Sequence, residues 1–146
     1  MTDITDREIV SRRVIHAPRQ KVFRAWTEPE HLAVWWGPAG FTNTFHEFEP
    51  RPGGEWRFIM HGPDGTNYPN HSKFVEVVAP ELITFDHLLG PKFRVIATFS
   101  EHAEGTDVTF RMVFGSAAEC EKIKVFVVDA NEENFDRLEA ELVRMA

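Results

Sequence analysis

The chain has 146 residues, 27% of them charged, with a formal net charge of −7 and a pI near 5.5. This length is ordinary for one domain and allows a sizeable core, so we expect a single domain over residues 1–146. The acidic balance argues against a nucleic-acid partner, because phosphates attract basic faces. One cysteine, Cys120, excludes an intrachain disulfide.

The N-terminal segment, residues 1–13, lacks the apolar centre of a signal peptide. No stretch of the chain approaches the ~20 apolar residues that a membrane-spanning helix needs. We therefore expect a cytoplasmic protein without membrane insertion, and the single cysteine agrees with a reducing compartment.

The first elements are a strand and two short helices. Apolar and charged residues alternate over residues 7–15, which predicts a strand with one wet face. Pro18 suits the start of a helix that runs through Trp26. A second short helix starts at residues 27–30 and ends near Trp36, because glycine and proline come next.

Six further strands are predicted where the hydrophobic period changes to two. Their connections are short, and parallel strands need long crossovers, so the strands should form an antiparallel meander. The pair Gly53-Gly54 is interpreted as a hairpin turn, since it lacks the strand-to-helix context of a phosphate loop. The predicted strands cover residues 42–49, 55–61, 70–78, 82–89, 93–101 and 107–114.

After Gly115 a helical period returns for about 25 residues, or roughly 37 Å. Its apolar stripe must be buried against one face of the sheet, because neither surface is stable alone. We therefore predict an α+β fold with a curved antiparallel sheet of about six or seven strands around a long C-terminal helix. The stripe consists of Ile123, Val127, Ala130, Asn134, Leu138 and Leu142, with Phe126 and Phe135 beside it.

Several short motifs, in their order and spacing, resemble those of the START-like, or SRPBCC, superfamily. More narrowly, they are similar to the branch named for activators of the heat-shock-protein ATPase. The resemblance covers essentially the whole chain. The motifs are the segments at residues 13–18, 22–27, 29–32, 35–38, 48–56 and 105–109.

This resemblance implies a helix-grip fold with a cavity between the sheet and the C-terminal helix. Relatives include lipid carriers, cyclases, hydroxylase subunits and co-chaperones, so the fold alone implies no single chemistry. Members of the branch often carry a Gly-Trp pair in the last helix, where this chain has Ala130 to Glu133. The pocket should differ in shape there.

The aromatic content points to the same cavity. Thirteen phenylalanines and four tryptophans stand against one tyrosine. Such rings either fill a dense core or form the wall of a cavity that excludes water. The candidate ligand-binding residues are Trp35, Trp36, His46, Phe48, Trp56, Phe58, Met60, Phe85, His87, Phe110, Met112, Phe114 and Asn134.

Some of these candidates have two interpretations. His46 and His87 are each a general base or ligand anchor in an apolar cavity, or a hydrogen-bonded core histidine. Trp35 and Trp36 close the cavity mouth, or one belongs to the core and the other to the surface. Asn134 either caps a core network or binds a polar group of the ligand.

Other chemistry lacks its motifs. The seven histidines form no pair at metal-ligand spacing on a regular element, so we predict no metal site and no cofactor. Acidic neighbours should raise the pKa of Cys120 and leave the thiol unreactive. No Gly-X-Ser-X-Gly elbow is present for a serine nucleophile.

We therefore predict a protein that binds a small apolar or amphipathic molecule. An alternative is an enzyme of the cyclase, hydrolase or isomerase type acting in the same cavity, for which no catalytic motif was found. A second alternative is a co-chaperone or interaction module. A homodimer is an open expectation, and a chaperone partner is ranked lowest because no second domain is present to hold one.

Overall fold

The computed structural model describes residues 5–90 and 92–145, which contain three α-helices and seven strands. A short 3₁₀ turn at Thr5–Arg7 precedes the first strand. The helices are α1 (Arg19–Thr27), α2 (Pro29–Trp35) and α3 (Ala117–Arg144). The strands are β1 (Glu8–Ile15), β2 (Thr42–Phe48), β3 (Glu55–His61), β4 (Asn67–Val78), β5 (Leu82–His87), β6 (Phe93–His102) and β7 (Gly105–Phe114).

The seven strands form one sheet in the order β1-β7-β6-β5-β4-β3-β2, and every neighbouring pair is antiparallel. Strands β2 to β7 make a continuous meander, as their short connections predict. Strand β1 lies beside β7, the last strand, so the two short helices cross from one edge of the sheet to the other. The predicted α+β class and helix-grip architecture are confirmed.

The sheet buries one face because its strands alternate in hydrophobicity. Strand β7 alternates along its length, with Thr106, Val108, Phe110, Met112 and Phe114 all buried. The neighbouring strand β6 buries Val95, Ala97 and Phe99 in the same way. Helix α3 packs over this face, so the apolar sides of helix and sheet are removed from water together.

Helix α3 begins where Ser116 supplies an N-cap: its Oγ accepts a hydrogen bond from the backbone nitrogen of Glu119 (3.2 Å). Its buried face includes Phe135 and Leu138. Phe126, which the sequence places beside the buried stripe, is instead 72% exposed on the outer face. No helix in the described residues combines the length and apolarity needed to cross a membrane.

Several strand boundaries differ from the prediction by one to three residues, and β7 begins at Gly105, two residues earlier than predicted. Strand β4 begins at Asn67, three residues earlier than predicted, because Asn67 to Pro69 continue the pairing with β3. Strand β5 ends at His87, two residues earlier. The Gly53-Gly54 pair lies in the β2–β3 connection, as predicted, and Gly53 N donates a hydrogen bond of 2.9 Å to Phe74 O on β4.

Candidate ligand-binding cavity

A cavity of about 150 Å³ lies between the sheet and α3. Its wall is formed by strands β3 to β7 on one side, by α3 on the other, and by the segment after α2 at one end. The lining residues are Trp36, Gly37, Pro38, Trp56, Phe58, Met60, Asn70, Ser72, Phe85, His87, Phe93, Val95, Phe110, Met112, Val127, Ala130, Asn131 and Asn134.

Aromatic rings make up much of this wall. The Trp36 ring centroid is 5.3 Å from that of Trp56 and 6.1 Å from that of Phe85. Trp56 also stacks on Phe58, with centroids 4.5 Å apart and planes 19° apart. Rings in mutual edge and offset contact form a rigid apolar surface, because each ring restricts the rotamers of its neighbours.

The segment that carries Trp36 is attached to α3. The backbone nitrogen of Gly37 donates a hydrogen bond of 2.8 Å to Oδ1 of Asn134. The guanidinium of Arg137 donates to a group of nearby backbone carbonyls, including that of Gly37 at 2.8 Å. Burial lowers the pKa of Arg137 from its usual value, but a guanidinium remains charged at neutral pH. The helix thereby positions one end of the cavity.

A few polar groups interrupt the apolar wall. On the sheet side, His87 Nε2 lies 2.9 Å from Oδ1 of Asn70, and Ser72 is buried beside them in the lining. On the helix side, the Asn131 amide nitrogen donates to Ser11 Oγ (3.1 Å). The indole nitrogen of Trp56 is buried and has no hydrogen-bond partner in the described structure. A mostly apolar pocket with a few convergent polar groups is typical of small-molecule sites.

A family profile described as "Activator of Hsp90 ATPase homolog 1-like protein" matches residues 16–143. The chain belongs to this family. The sequence resemblance to that branch is therefore confirmed over nearly the whole chain. A comparison with curated proteins finds no match.

Solved structures of bacterial proteins share the family fold. A protein of Nitrosomonas europaea has a TM-score of 0.89 at 21% identity, covering 96% of this chain and 96% of its own. A protein of Arthrobacter aurescens gives 0.88 at 22% identity, covering 100% and 91%. A Mycobacterium smegmatis protein gives 0.86 at 23% identity, covering 99% and 96%. At these identities the similarity establishes the fold alone.

Within this family fold, most of the candidate residues line the cavity, although their binding role remains a prediction. The ones that line it are Trp36, Trp56, Phe58, Met60, Phe85, His87, Phe110, Met112 and Asn134. Three others lie outside it, Trp35 and Phe114 in the core and Phe48 against the core's edge. Trp35 donates through Nε1 to Ala25 O (2.9 Å), Phe48 packs on Phe74, and Phe114 packs on Phe93 from beyond the cavity wall.

His46 is exposed and does not reach the cavity. The alternation that places it on the face of Phe48 is interrupted by a bulge: Phe45 pairs with Phe58 and Glu47 pairs with Arg57, which leaves His46 as the extra residue. A bulge reverses the facing of the residues that follow it. Phe45 and Phe48 consequently face the same side, with ring centroids 5.5 Å apart.

Several lining residues were not among the candidates. Val95, Val127 and Ala130 lie on strand and helix faces that the sequence already predicts to be inward, so their pattern was sufficient to find them. Asn131 gave no such signal, because it lies one residue from the predicted stripe among acidic residues. Asn70 and Ser72 on β4 were also not predicted, because polar side chains give no apolar alternation that would show which face of the strand is inward.

Two other groups bear on chemistry. Among the described residues, ligand atoms of Glu28, Glu30 and His31 lie within 4.8 Å of one another. Glu28 already accepts a hydrogen bond from Arg24, and His31 Nδ1 is 2.7 Å from the buried Glu141. The pKa of Cys120 is raised, as predicted, but the main cause is burial and not its acidic neighbours. This thiol is therefore a poor nucleophile.

Proposed function

We propose that this protein binds a small apolar or amphipathic molecule whose apolar part is about the size of one ring. The observation that carries the proposal is the cavity of about 150 Å³ between the sheet and α3. An apolar cavity of roughly this volume accepts benzene in a well-studied engineered protein. Larger ring systems would have to displace wall residues, which is costly in close-packed surroundings.

The polar groups of the wall support a ligand with a hydrogen-bonding substituent. Asn134 uses its Oδ1 for Gly37 and makes no other hydrogen bond among the described residues, so its amide nitrogen remains a donor. The Trp56 indole nitrogen is a second donor without a partner. A buried donor such as the Trp56 indole nitrogen loses free energy when unpaired, so an acceptor on the ligand would bring a net gain there.

The enzyme alternative receives less support from the cavity. It requires an ionisable pair within hydrogen-bond reach inside the cavity, where His87 Nε2 lies 2.9 Å from Oδ1 of Asn70. No aspartate or glutamate is among the lining residues of the cavity as described. His87 is thus the single titratable side chain of that lining.

Filling the cavity tests the binding function. Ala130→Leu adds three carbons to the lining from α3, and Ala140→Leu adds the same carbons at an exposed position of the same helix. We expect toluene and phenol to raise the melting temperature of the wild type and of Ala140→Leu, but not that of Ala130→Leu. Circular dichroism would establish that the variants remain folded.

Two results would contradict this proposal. One is that neither single-ring compound binds the wild type, measured by ligand-observed NMR. The other is that Ala130→Leu binds them as tightly as Ala140→Leu does. A larger response to two-ring compounds than to single-ring ones would show that the cavity expands, and would reject the size limit.

A further inference from the structure

A second recess lies directly outside the cavity. It has a volume of about 460 Å³ and is open to solvent. The residues that end β5 and begin β6 lie between this recess and the cavity. His87 and Phe93 line both the recess and the cavity. Their rings are stacked, with centroids 4.6 Å apart and planes 8° apart. This stacked pair is therefore the partition between an apolar interior and an outer recess.

The outer recess carries an excess of cationic side chains. Three cations, Arg7, Lys92 and Arg94, and one carboxylate, Asp86, are among its lining residues. Arg94 is paired with Asp86 (Nε to Oδ1, 2.7 Å), so those two charges offset each other. Two cations remain, in a chain whose formal net charge is −7. The local charge thus opposes that of the chain as a whole.

The two remaining cations differ in how they are held. Arg7 donates through Nη1 to the carbonyl oxygen of Phe114 (2.7 Å), which anchors the guanidinium at the wall. Lys92 is exposed and forms no ion pair with any described residue. A fixed guanidinium beside a free ammonium is suited to a carboxylate, which accepts hydrogen bonds from both.

We propose that the ligand is an amphipathic carboxylate, with its ring in the cavity and its carboxylate in the outer recess. This rests on the proposed ligand-binding function and adds the chemical class of the ligand. A short chain between ring and carboxylate would cross at the His87–Phe93 partition. Both side chains are part-exposed, so their rotation disturbs less packing than rotation of a fully buried side chain would.

The test compares carboxylates with neutral compounds of the same shape. The pairs are phenylacetate with phenylacetamide and 3-phenylpropionate with 3-phenylpropanamide, measured by calorimetry at low salt. We expect the better carboxylate to bind about three- to tenfold more tightly than its amide. Addition of 0.5 M sodium chloride should remove most of this difference, because the recess is open to solvent.

The variant Lys92→Gln tests the role of the recess in carboxylate binding. Its matched control is Lys73→Gln, at an exposed position of β4 outside the recess. Lys92→Gln should weaken carboxylate binding about two- to fivefold and leave amide binding unchanged. Equal binding of acid and amide, or no effect of Lys92→Gln, would overturn the anionic class while leaving the cavity function intact. Failure of all four compounds to bind would reject both proposals.

An independent observation concerns the outer face of α3. Val125 and Phe126 are 83% and 72% exposed, which is unusual for two adjacent large apolar residues. Lys122 and Asp129 share their helical face, at spacings of three and four residues on either side. Neither charge forms an ion pair with a described residue.

This face is self-complementary. A second copy related by a two-fold axis passing between Val125 and Phe126 would lie antiparallel, with Val125 against the partner's Phe126. The same rotation brings Lys122 opposite the partner's Asp129, and the symmetry repeats that pair. We infer that the face, defined by these four residues, forms a weak homodimer.

Charge exchange tests the dimer. Sedimentation velocity over a hundredfold range of concentration should show reversible association of the wild type. Asp129→Lys should abolish it, since lysines then oppose each other, and the double variant Lys122→Asp/Asp129→Lys should restore it. A wild type that stays monomeric at millimolar concentration, or a double variant no better than Asp129→Lys, would overturn this inference.

Discussion

Asn134 on α3 accepts, through Oδ1, a hydrogen bond of 2.8 Å from the backbone nitrogen of Gly37. One helical turn later, Arg137 donates a bond of the same length to the carbonyl oxygen of Gly37. Helix α3 therefore binds both the backbone nitrogen and the carbonyl oxygen of Gly37. Since Gly37 directly follows Trp36, the position of the Trp36 ring over the cavity depends on α3 as well as on the sheet.

Arg137 should be one of the largest single contributors to this attachment. Its guanidinium donates to the carbonyls of Val34, Gly37, Pro38 and Phe41 at 2.7 to 2.9 Å. We expect Arg137→Met to lower the free energy of unfolding by about 2–4 kcal/mol, because these carbonyls lose a charged donor and are left part-buried. Urea unfolding measures the change.

Arg144→Met is the matched control, since Arg144 lies on the same helix, is 72% exposed in its side chain and, among the described residues, pairs with Glu141 alone, at 3.5 Å. We expect it to change stability by less than about 0.5 kcal/mol. Similar losses in both variants would mean that the carbonyl cluster contributes no specific stability.

The buried Asn131 should act mainly through Ser11, to which its amide donates a hydrogen bond of 3.1 Å. Asn131→Ala should cost about 1–3 kcal/mol, because the Ser11 hydroxyl is left buried without this partner. In the double variant Asn131→Ala/Ser11→Ala both polar groups are removed, so the loss should be smaller than the sum of the losses in Asn131→Ala and Ser11→Ala. Thermal and urea unfolding of the wild type, the two single variants and the double variant would show additive losses if the two side chains did not interact.

Gly54 should tolerate no side chain. A Cβ at this position would lie 1.9 Å from the carbonyl oxygen of Glu49, and Gly54 O also accepts a hydrogen bond from Phe74 N (2.9 Å). We expect Gly54→Ala to destabilise the fold by about 2 kcal/mol or more, since backbone must move. Gly90→Ala is the control, because a Cβ added there meets no atom of the described residues within 4 Å, its chain neighbours aside. Equal stability of both variants, by urea unfolding, would refute the predicted clash.

Asp107 should make stability depend on pH in the acid range. Hydrogen bonds from Arg12 lower the pKa of Asp107 from its ordinary value of 3.8, the Arg12 charge adds to this, and burial opposes it. A lowered pKa in the folded state contributes stability above the unfolded value, near pH 4, and that contribution disappears as pH falls through the folded pKa.

Asp107→Asn should therefore be less stable than the wild type at pH 7, and the difference should shrink as pH falls below the unfolded value near 4. The measurement is the urea midpoint of each protein from pH 7 to pH 3. Glu81→Gln, at an exposed position that forms no ion pair with a described residue, should follow the wild type throughout. A gap between Asp107→Asn and the wild type that persists unchanged at pH 3 would contradict the assignment.

Much of the fold follows from local pattern. The alternation of Val108, Phe110, Met112 and Phe114 predicts which face of β7 is buried, and every one of these side chains is buried. Short connections predict antiparallel neighbours because a parallel return needs more residues. The cavity residues on such strands, including Phe110 and Met112, could be predicted for the same reason.

The pattern fails where a local irregularity or a distant contact decides the outcome. At His46 a bulge shifts the alternation, and nothing in the residue types of β2 signals it. Asn131 is buried although its neighbours Glu132 and Glu133 are exposed, because Ser11 on β1 provides a partner 120 residues away. Phe126 is apolar yet exposed, because the sheet covers only part of the circumference of α3.

The sequence by itself determined the class of the fold, the order of its elements and the family, because periodicity and short motifs are local properties of the chain. Tertiary structure alone decided the size of the cavity, the partition formed by His87 and Phe93, and the anchoring of Gly37 by Asn134 and Arg137. These features join residues far apart in sequence. Their positions depend on how strands, helix and side chains pack together, which no short stretch of sequence encodes.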